Sequence, residues 1–171
     1  MITAEQFRLG MRRLPAAVTL VTCKHEGTLY GLTATAVTSL SADPPSLLTC
    51  VNREASAHRA ILDAKAFAIN VLPHDKLATA RLFASRKPED RARRFSADKW
   101  SELTTGSPVL EEAIVGFDCT LDQAIVYASH SILIGQVQDI RISETHKHLM
   151  YLEGEFADLA LTGRLTQPDR R

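Results

Sequence analysis

The stretch Gly31-Leu-Thr-Ala-Thr-Ala-Val-Thr-Ser-Leu-Ser-Ala-Asp-Pro-Pro-Ser-Leu-Leu-Thr-Cys-Val-Asn-Arg-Glu-Ala-Ser-Ala-His58 decides how this chain is read. Small hydroxyl side chains crowd a segment otherwise patterned as β-strand. Thr33, Thr35, Thr38, Ser39 and Ser41 precede the Pro44-Pro45 break, and Cys50, Asn52 and Ser56 follow it. A core strand ordinarily carries Val, Ile or Phe at such positions, although the same threonines also suit a half-exposed strand. Small side chains leave backbone N–H groups open, and hydroxyls both donate and accept. The segment therefore predicts one wall of a site for a ligand rich in oxygens and flat edges. Gly31 within its strand predicts a bulge or a close backbone approach. Ser41 to Pro45 predicts a loop, because proline gives no donor to a ladder.

Outward from this wall, strands dominate. Upstream, Thr3 and Gln6 fit a capping box for a helix over 3–14, with Phe7, Met11 and Leu14 at helical spacing and Pro15 as its stop. Strands are predicted over 16–24, 28–38, 46–52, 67–72, 113–121, 131–142 and 148–156. Ser56 is predicted to cap a helix reaching Lys65, with Ile61 and Leu62 on its inner face. A further helix covers 75–84. The charged run Arg86, Lys87, Glu89, Asp90, Arg91, Arg93 and Arg94 reads as a solvated loop or helix rather than an anion site. With few helices and no βαβ alternation, the pattern favours an antiparallel barrel or sandwich over a doubly wound sheet. The polar end, Thr166 to Arg171, is expected to fray.

The bulk properties exclude several classes. The 171 residues suffice for a single domain over 1–171 with its own core. Lys and Arg number 20, as do Asp and Glu, so no net charge steers the chain to nucleic acid or to an anionic membrane. No apolar run reaches the ~18–20 residues of a membrane span, and the N-terminus does not read as a secretory signal. Cys23, Cys50 and Cys119 are scattered in apolar runs, which predicts reduced thiols and a cytoplasmic setting. Gly-x-Gly-x-x-Gly, P-loop, His-Glu-x-x-His and Gly-x-Ser-x-Gly patterns are all absent. His146-Lys147-His148 has the spacing of two metal ligands but lacks a third and lies among charges, so no metal is predicted.

Further motifs stand in order along the chain: Phe67-Ala-Ile-Asn-Val-Leu72, Leu77 to Phe83, Arg94-Phe95 with Trp100, Ser107-Pro-Val-Leu before the strand bearing Cys119, and His130-Ser-Ile-Leu-Ile-Gly-Gln-Val137. Together with residues 31–58, they resemble the short-chain flavin reductases over about residues 3–157. The resemblance implies a mainly β fold, a six-stranded antiparallel Greek-key split barrel with flanking helices. It implies FMN or FAD as the flavin, NADH or NADPH as hydride donor, a homodimer with flavin near the subunit interface, and a partner flavin-dependent monooxygenase. It implies that Thr33, Ala34, Thr35 and Ala36 line the ring and ribityl chain, that Ser39, Leu40 and Ser41 continue the wall, and that Cys50, Val51 and Asn52 follow the ribityl and pyrimidine edge. Ala55 and Ser56 would reach the phosphate, where a helix N-terminus independently favours an anion. Phe83 would pack near the flavin, and His130 would sit at the reacting face where the nicotinamide docks. Two departures stand out. Ala128-Ser129 replaces the family's usual Gly-Asp or Gly-Thr before this histidine, and Thr35-Ala36 replaces Asn-Ser or Ser-Ser.

The alternative within this fold is a flavin-carrying electron-transfer or binding protein that never turns over nicotinamide. An oxidase of the pyridoxamine-phosphate branch would need a basic phosphate site, for which the stretch offers only Arg53 and Arg59.

Overall fold

The structure, a computed structural model, describes residues 1–144 and 146–159; the expected frayed end at 166–171 lies outside them. Helix α1 (Ala4–Arg12) begins at Thr3, whose side chain accepts from the Gln6 amide while Gln6 returns the bond, so the capping box forms as predicted. β1 (Ala16–Ala17), β2 (Thr19–His25), β3 (Thr28–Ala34), β4 (Val37–Ala42) and β5 (Pro45–Asn52) follow. Then come α2 (Ser56–Ala64), β6 (Ala66–Val71), a single 3-10 turn at His74–Lys76, α3 (Leu77–Ala84) and α4 (Pro88–Arg93). The chain continues through β7 (Trp100–Glu102), β8 (Pro108–Leu110), β9 (Val115–Tyr127), β10 (His130–Ile142), β11 (His148–Leu152) and β12 (Glu155–Leu159).

The main sheet has seven antiparallel strands in the order β3-β2-β6-β9-β10-β5-β4. β3 and β4 lie at opposite edges of that order, yet only Thr35 and Ala36 separate them in the chain. Three consecutive Cα steps span at most about 11 Å. The two edges must therefore meet, and the sheet curls into a barrel whose seam is bridged by the chain itself. Beside the seam the Cys50 amide donates to the Ala36 carbonyl across 3.1 Å, which extends the β4–β5 ladder by one residue. This geometry corrects the expectation of one strand over 28–38: the chain leaves one edge at Ala34 and joins the other at Val37. It also explains one strand more than the expected six. The strand predicted over 148–156 is a hairpin, β11 and β12, turned at Glu153-Gly154, and it forms a small separate sheet with β1. The short β7–β8 hairpin escaped the sequence reading.

Val21, Leu47, Val51, Ile61, Phe67, Ile69 and Leu133 fill the barrel, with α2 closing it through Ala57, Ala60 and Ile61. A second cluster holds Val18, Leu20, Leu72, Ala80, Phe83 and Leu110 under α3. Asn70 connects the two regions. Its amide nitrogen donates to Thr22 Oγ1 at 3.0 Å, and its Oδ1 accepts from the Leu110 amide at 2.8 Å. Thr22 Oγ1 in turn donates to the Pro108 carbonyl at 2.6 Å, so a buried polar set docks β8 onto the barrel. Burial is costly for such groups unless each is paired, and these are. Among the described residues no helix is long and apolar enough to cross a membrane.

Candidate active site

Gly31 organises the entrance to the site. A Cβ added to it would lie 2.5 Å from Phe83 Cε1, a fully buried ring, so the predicted close approach is present and no bulge is needed. Phe83 stacks edge-on to Phe95, with ring centroids 5.1 Å apart, and lies 5.7 Å from Trp100. Backbone of β3 therefore rests directly on an aromatic cushion. Above it two chambers open along Leu32 and Thr33 and share the walls Asn52 and Ala84.

The larger chamber, of about 500 Å³, is lined by Thr33, Ala34, Thr35 and Ala36 on one side and by Cys50, Asn52 and His130 on another. Six of the predicted wall residues are thus brought together with His130, because β5 alternates Leu47, Thr49 and Val51 inward with Cys50 and Asn52 outward. His130 arrives from the far end of the chain because β10 pairs with β5 in a register that sets His130 opposite Asn52. Its Nδ1 lies 2.9 Å from Ser129 Oγ, and its ring is exposed. The turn before it holds Ala128 at φ +49°, a conformation that favours glycine. Arg53 braces this turn: its amide donates to the Ser129 carbonyl and its guanidinium to the Ala128 carbonyl at 3.3 Å.

The smaller chamber, of about 370 Å³, runs from Gly31 and Phe83 to Ala55 and Ser56. Here the structure corrects the capping expectation. Ala55 is the N-cap of α2 and has no side chain to offer, while Ser56 is the first helical residue. The helix thus begins beside the chamber with no side-chain cap on its first turn, which suits an anion. The charged run, read as solvated, is only partly so: Arg86, Arg91 and Arg94 all line this chamber, with Glu54 as its single acidic side chain. Arg94 is only 6% exposed. It donates to the Gly31 carbonyl at 2.7 Å and the Ser85 carbonyl at 2.6 Å, and its charge lies over the Phe83 ring. Among the described residues no carboxylate pairs with it within 4.0 Å. Burial, then the neighbouring Arg91, hold its guanidinium below the ordinary arginine value.

Other predicted positions fall elsewhere. Val51 is fully buried in the barrel core. Ser39 and Ser41 line a separate apolar cleft of about 860 Å³ that meets the larger chamber only at Thr35, and Leu40 is exposed beside it. Thr33, which lines both chambers, commits its hydroxyl to the Ala80 carbonyl at 2.6 Å. Cys50 lines the larger chamber, whereas Cys23 and Cys119 are core thiols pushed up to about 12 by burial. Tyr151 and Phe156 also line the larger chamber, and nothing in the sequence reading singled them out. Among the described residues no group of three or more His, Cys, Asp or Glu side chains could hold a metal ion.

The match to known proteins agrees with this geometry. The family model described as flavin reductase like domain covers residues 11–160. The chain belongs to the flavin reductase-like family. The FMN reductase (NADH) RutF of Agrobacterium fabrum is 41% identical over 90% of this chain and 90% of its own. That of Pantoea ananatis is 34% identical over 92% and 82%. Among solved structures, BorF, the flavin reductase component of a bacterial two-component tryptophan halogenase, superposes with a TM-score of 0.84 at 30% identity, covering 92% of this chain and 98% of its own. The expected split-barrel class is thereby met in this flavin reductase-like chain.

One buried group of this flavin reductase-like chain makes a pH prediction. His58, buried on α2, places Nε2 2.8 Å from Oγ of Ser131, the residue that follows His130 on β10. Burial first, then Arg53 and Arg59, lower its pKa below 6.5. As pH falls through 6.5, the unfolded chain takes up a proton that the folded chain resists, so stability declines there. Thermal melts of wild type should fall more steeply just below pH 6.5 than those of His58→Gln. Parallel pH curves would remove His58 from that transition.

Proposed function

We propose that this chain is a reduced-nicotinamide-dependent flavin reductase that uses FMN and NADH, as its relatives are named for, and passes reduced flavin to a partner monooxygenase. The supporting observation is the continuity of the two chambers: a cationic end at Ser56, Arg86 and Arg91 joined through Thr33 and Asn52 to a flat, small-residue end at Ala34, Ala36 and His130. Phosphate fits the first, since a buried guanidinium without a carboxylate partner and an uncapped helix start both await negative charge. The ring fits the second, where alanines leave backbone accessible on a strand edge.

A flavin held by these residues would supply the hydride-accepting chemistry, with the dihydronicotinamide as hydride donor and solvent as proton source. The residues align the partners. Ala34, Thr35 and Ala36 give a flat floor, and the amides along 35–36 and at Asn52 would donate to the ring edge as negative charge grows there during reduction. Holding two rings in one chamber removes the entropic cost of their encounter. His130 orients the nicotinamide at the open end.

A second copy of the chain completes the assembly in this reading. The 860 Å³ cleft is apolar and open, and Leu14, Leu40, Ile140 and Ile142 are exposed around it. Thr35 lines both cleft and site, so the dimer contact lies against the flavin ring. The unpaired thiols suit a cytoplasmic setting.

Steady-state assays test the activity. Purified protein with NADH or NADPH is expected to oxidise the nicotinamide only when FMN, FAD or riboflavin is added. No turnover with any combination would sink the reading. The phosphate end has its own test: Arg86→Gln with Arg91→Gln should weaken FMN binding about tenfold or more while leaving riboflavin within about twofold. Equal loss for both flavins would place the phosphate elsewhere.

A further inference from the structure

We infer that Arg53 is a positioning residue for His130, acting through the Ala128-Ser129 turn. The inference rests on the flavin-reductase reading and adds to it the group that fixes the direction of the histidine ring. His130 opens β10, pairs with Asn52 on β5 and carries an exposed ring, so burial does not hold that ring in place. Its one side-chain partner among the described residues is Ser129, whose Oγ lies 2.9 Å from Nδ1. Ser129 stands in the turn itself, between Tyr127 at the end of β9 and His130 at the start of β10. The direction of the ring therefore follows the turn. With Nδ1 taken by Ser129, Nε2 is the ring nitrogen left for a ligand in the 500 Å³ chamber.

The turn is held against a backbone preference. Ala128 sits at φ +49°, where a Cβ crowds the neighbouring carbonyl. A non-glycine residue stays there only when its surroundings over-determine it. Arg53 supplies those surroundings twice. Its amide donates to the Ser129 carbonyl at 3.0 Å, and its guanidinium Nη1 donates to the Ala128 carbonyl at 3.3 Å. The backbone around Arg53 is itself fixed. Asn52 Oδ1 accepts from the Glu54 amide at 2.8 Å, and the Asn52 carbonyl accepts from the Ala55 amide at 3.0 Å. Among the described residues no carboxylate lies within 4.0 Å of the Arg53 guanidinium, so the turn and not an ion pair directs it. The guanidinium bond is exposed, so its loss acts on the turn and not on the whole fold.

The test compares wild type with Arg53→Met, Ala128→Gly, Ser129→Ala and the double variant of the first two. Methionine keeps the stem and removes the donor, while glycine takes the left-handed turn without help. Arg53→Met should lower kcat for NADH oxidation at saturating FMN about tenfold, with FMN affinity held within about twofold and the melting temperature within about 2 °C. In the double variant the loss should shrink to about threefold or less, because Ala128→Gly removes the strain that Arg53 offsets. A residue that only bonded a ligand or stabilised the fold would not be rescued in this way. The His130 ring nitrogens, read by NMR in the resting protein, should move in Arg53→Met as they do in Ser129→Ala, and should return in the double variant. A kcat loss of equal size with and without Ala128→Gly overturns the assignment. So does an Arg53→Met kcat within about twofold of wild type, or a matching loss of FMN affinity. A wild type that binds FMN yet oxidises no reduced nicotinamide overturns the functional reading, and the NMR shifts then decide the role of Arg53 by themselves.

Discussion

Replacing Arg94 with methionine is expected to lower stability by about 3 kcal/mol or more, the loss of charge-assisted bonds to buried carbonyls. The alkyl stem is kept, so the change isolates the guanidinium. Three carbonyls lose a donor: Gly31 on the edge strand β3, and Leu82 and Ser85 at the end of α3. The last carbonyls of a helix have no intrahelical partner, and a cation there both bonds them and meets the helix dipole favourably. Methionine would leave them buried and bare. For a chain of this length the melting temperature should fall by about 6–12 °C. The same change loosens the 370 Å³ chamber, whose rim at Ser85 and Arg86 follows α3. FMN affinity should drop further than in the Arg86 and Arg91 variants. A melt within about 2 °C of wild type would show that Arg94 holds nothing in place.

Gly31→Ala should cost about 1–3 kcal/mol, the usual penalty for overpacking a filled interior. The new methyl would sit 2.5 Å from Phe83 Cε1 and 3.2 Å from Thr22 Cγ2. Phe83 cannot swing aside without breaking its packing on Phe95 and Trp100. Phe83→Leu makes room, so the double variant should recover part of the loss, and the two changes will not be additive. Additive losses would mean that the close approach of strand and ring carries no strain.

Much of this was legible in the sequence, for stated reasons. The small residues at Thr33 to Ala36 and the alternation through Cys50 and Asn52 do face one chamber. Gly31 predicted a close approach and has one. The motif at Phe67 to Leu72 contains Asn70, whose buried amide accounts for a polar residue in an apolar strand. What was hidden depended on distance in the chain. Thr35 and Ala36 read as strand because propensity is local, while the seam they bridge is a property of the whole sheet. The arginine run looked solvated because its charges are dense. Only the α3–α4 corner turns Arg94 inward and brings Arg86 and Arg91 to the start of α2. Tyr151 and Phe156 gave no signal, since a single strand predicted over 148–156 puts neither ring across a chamber.

The most direct measurement of the central claim is anaerobic and uses one equivalent of FMN. Protein loaded with FMN and mixed with NADH in the absence of oxygen should bleach the oxidised-flavin absorbance far faster than FMN and NADH alone, and His130→Ala should slow that bleaching. FMN that binds to the protein and stays oxidised in the presence of excess NADH would contradict the account.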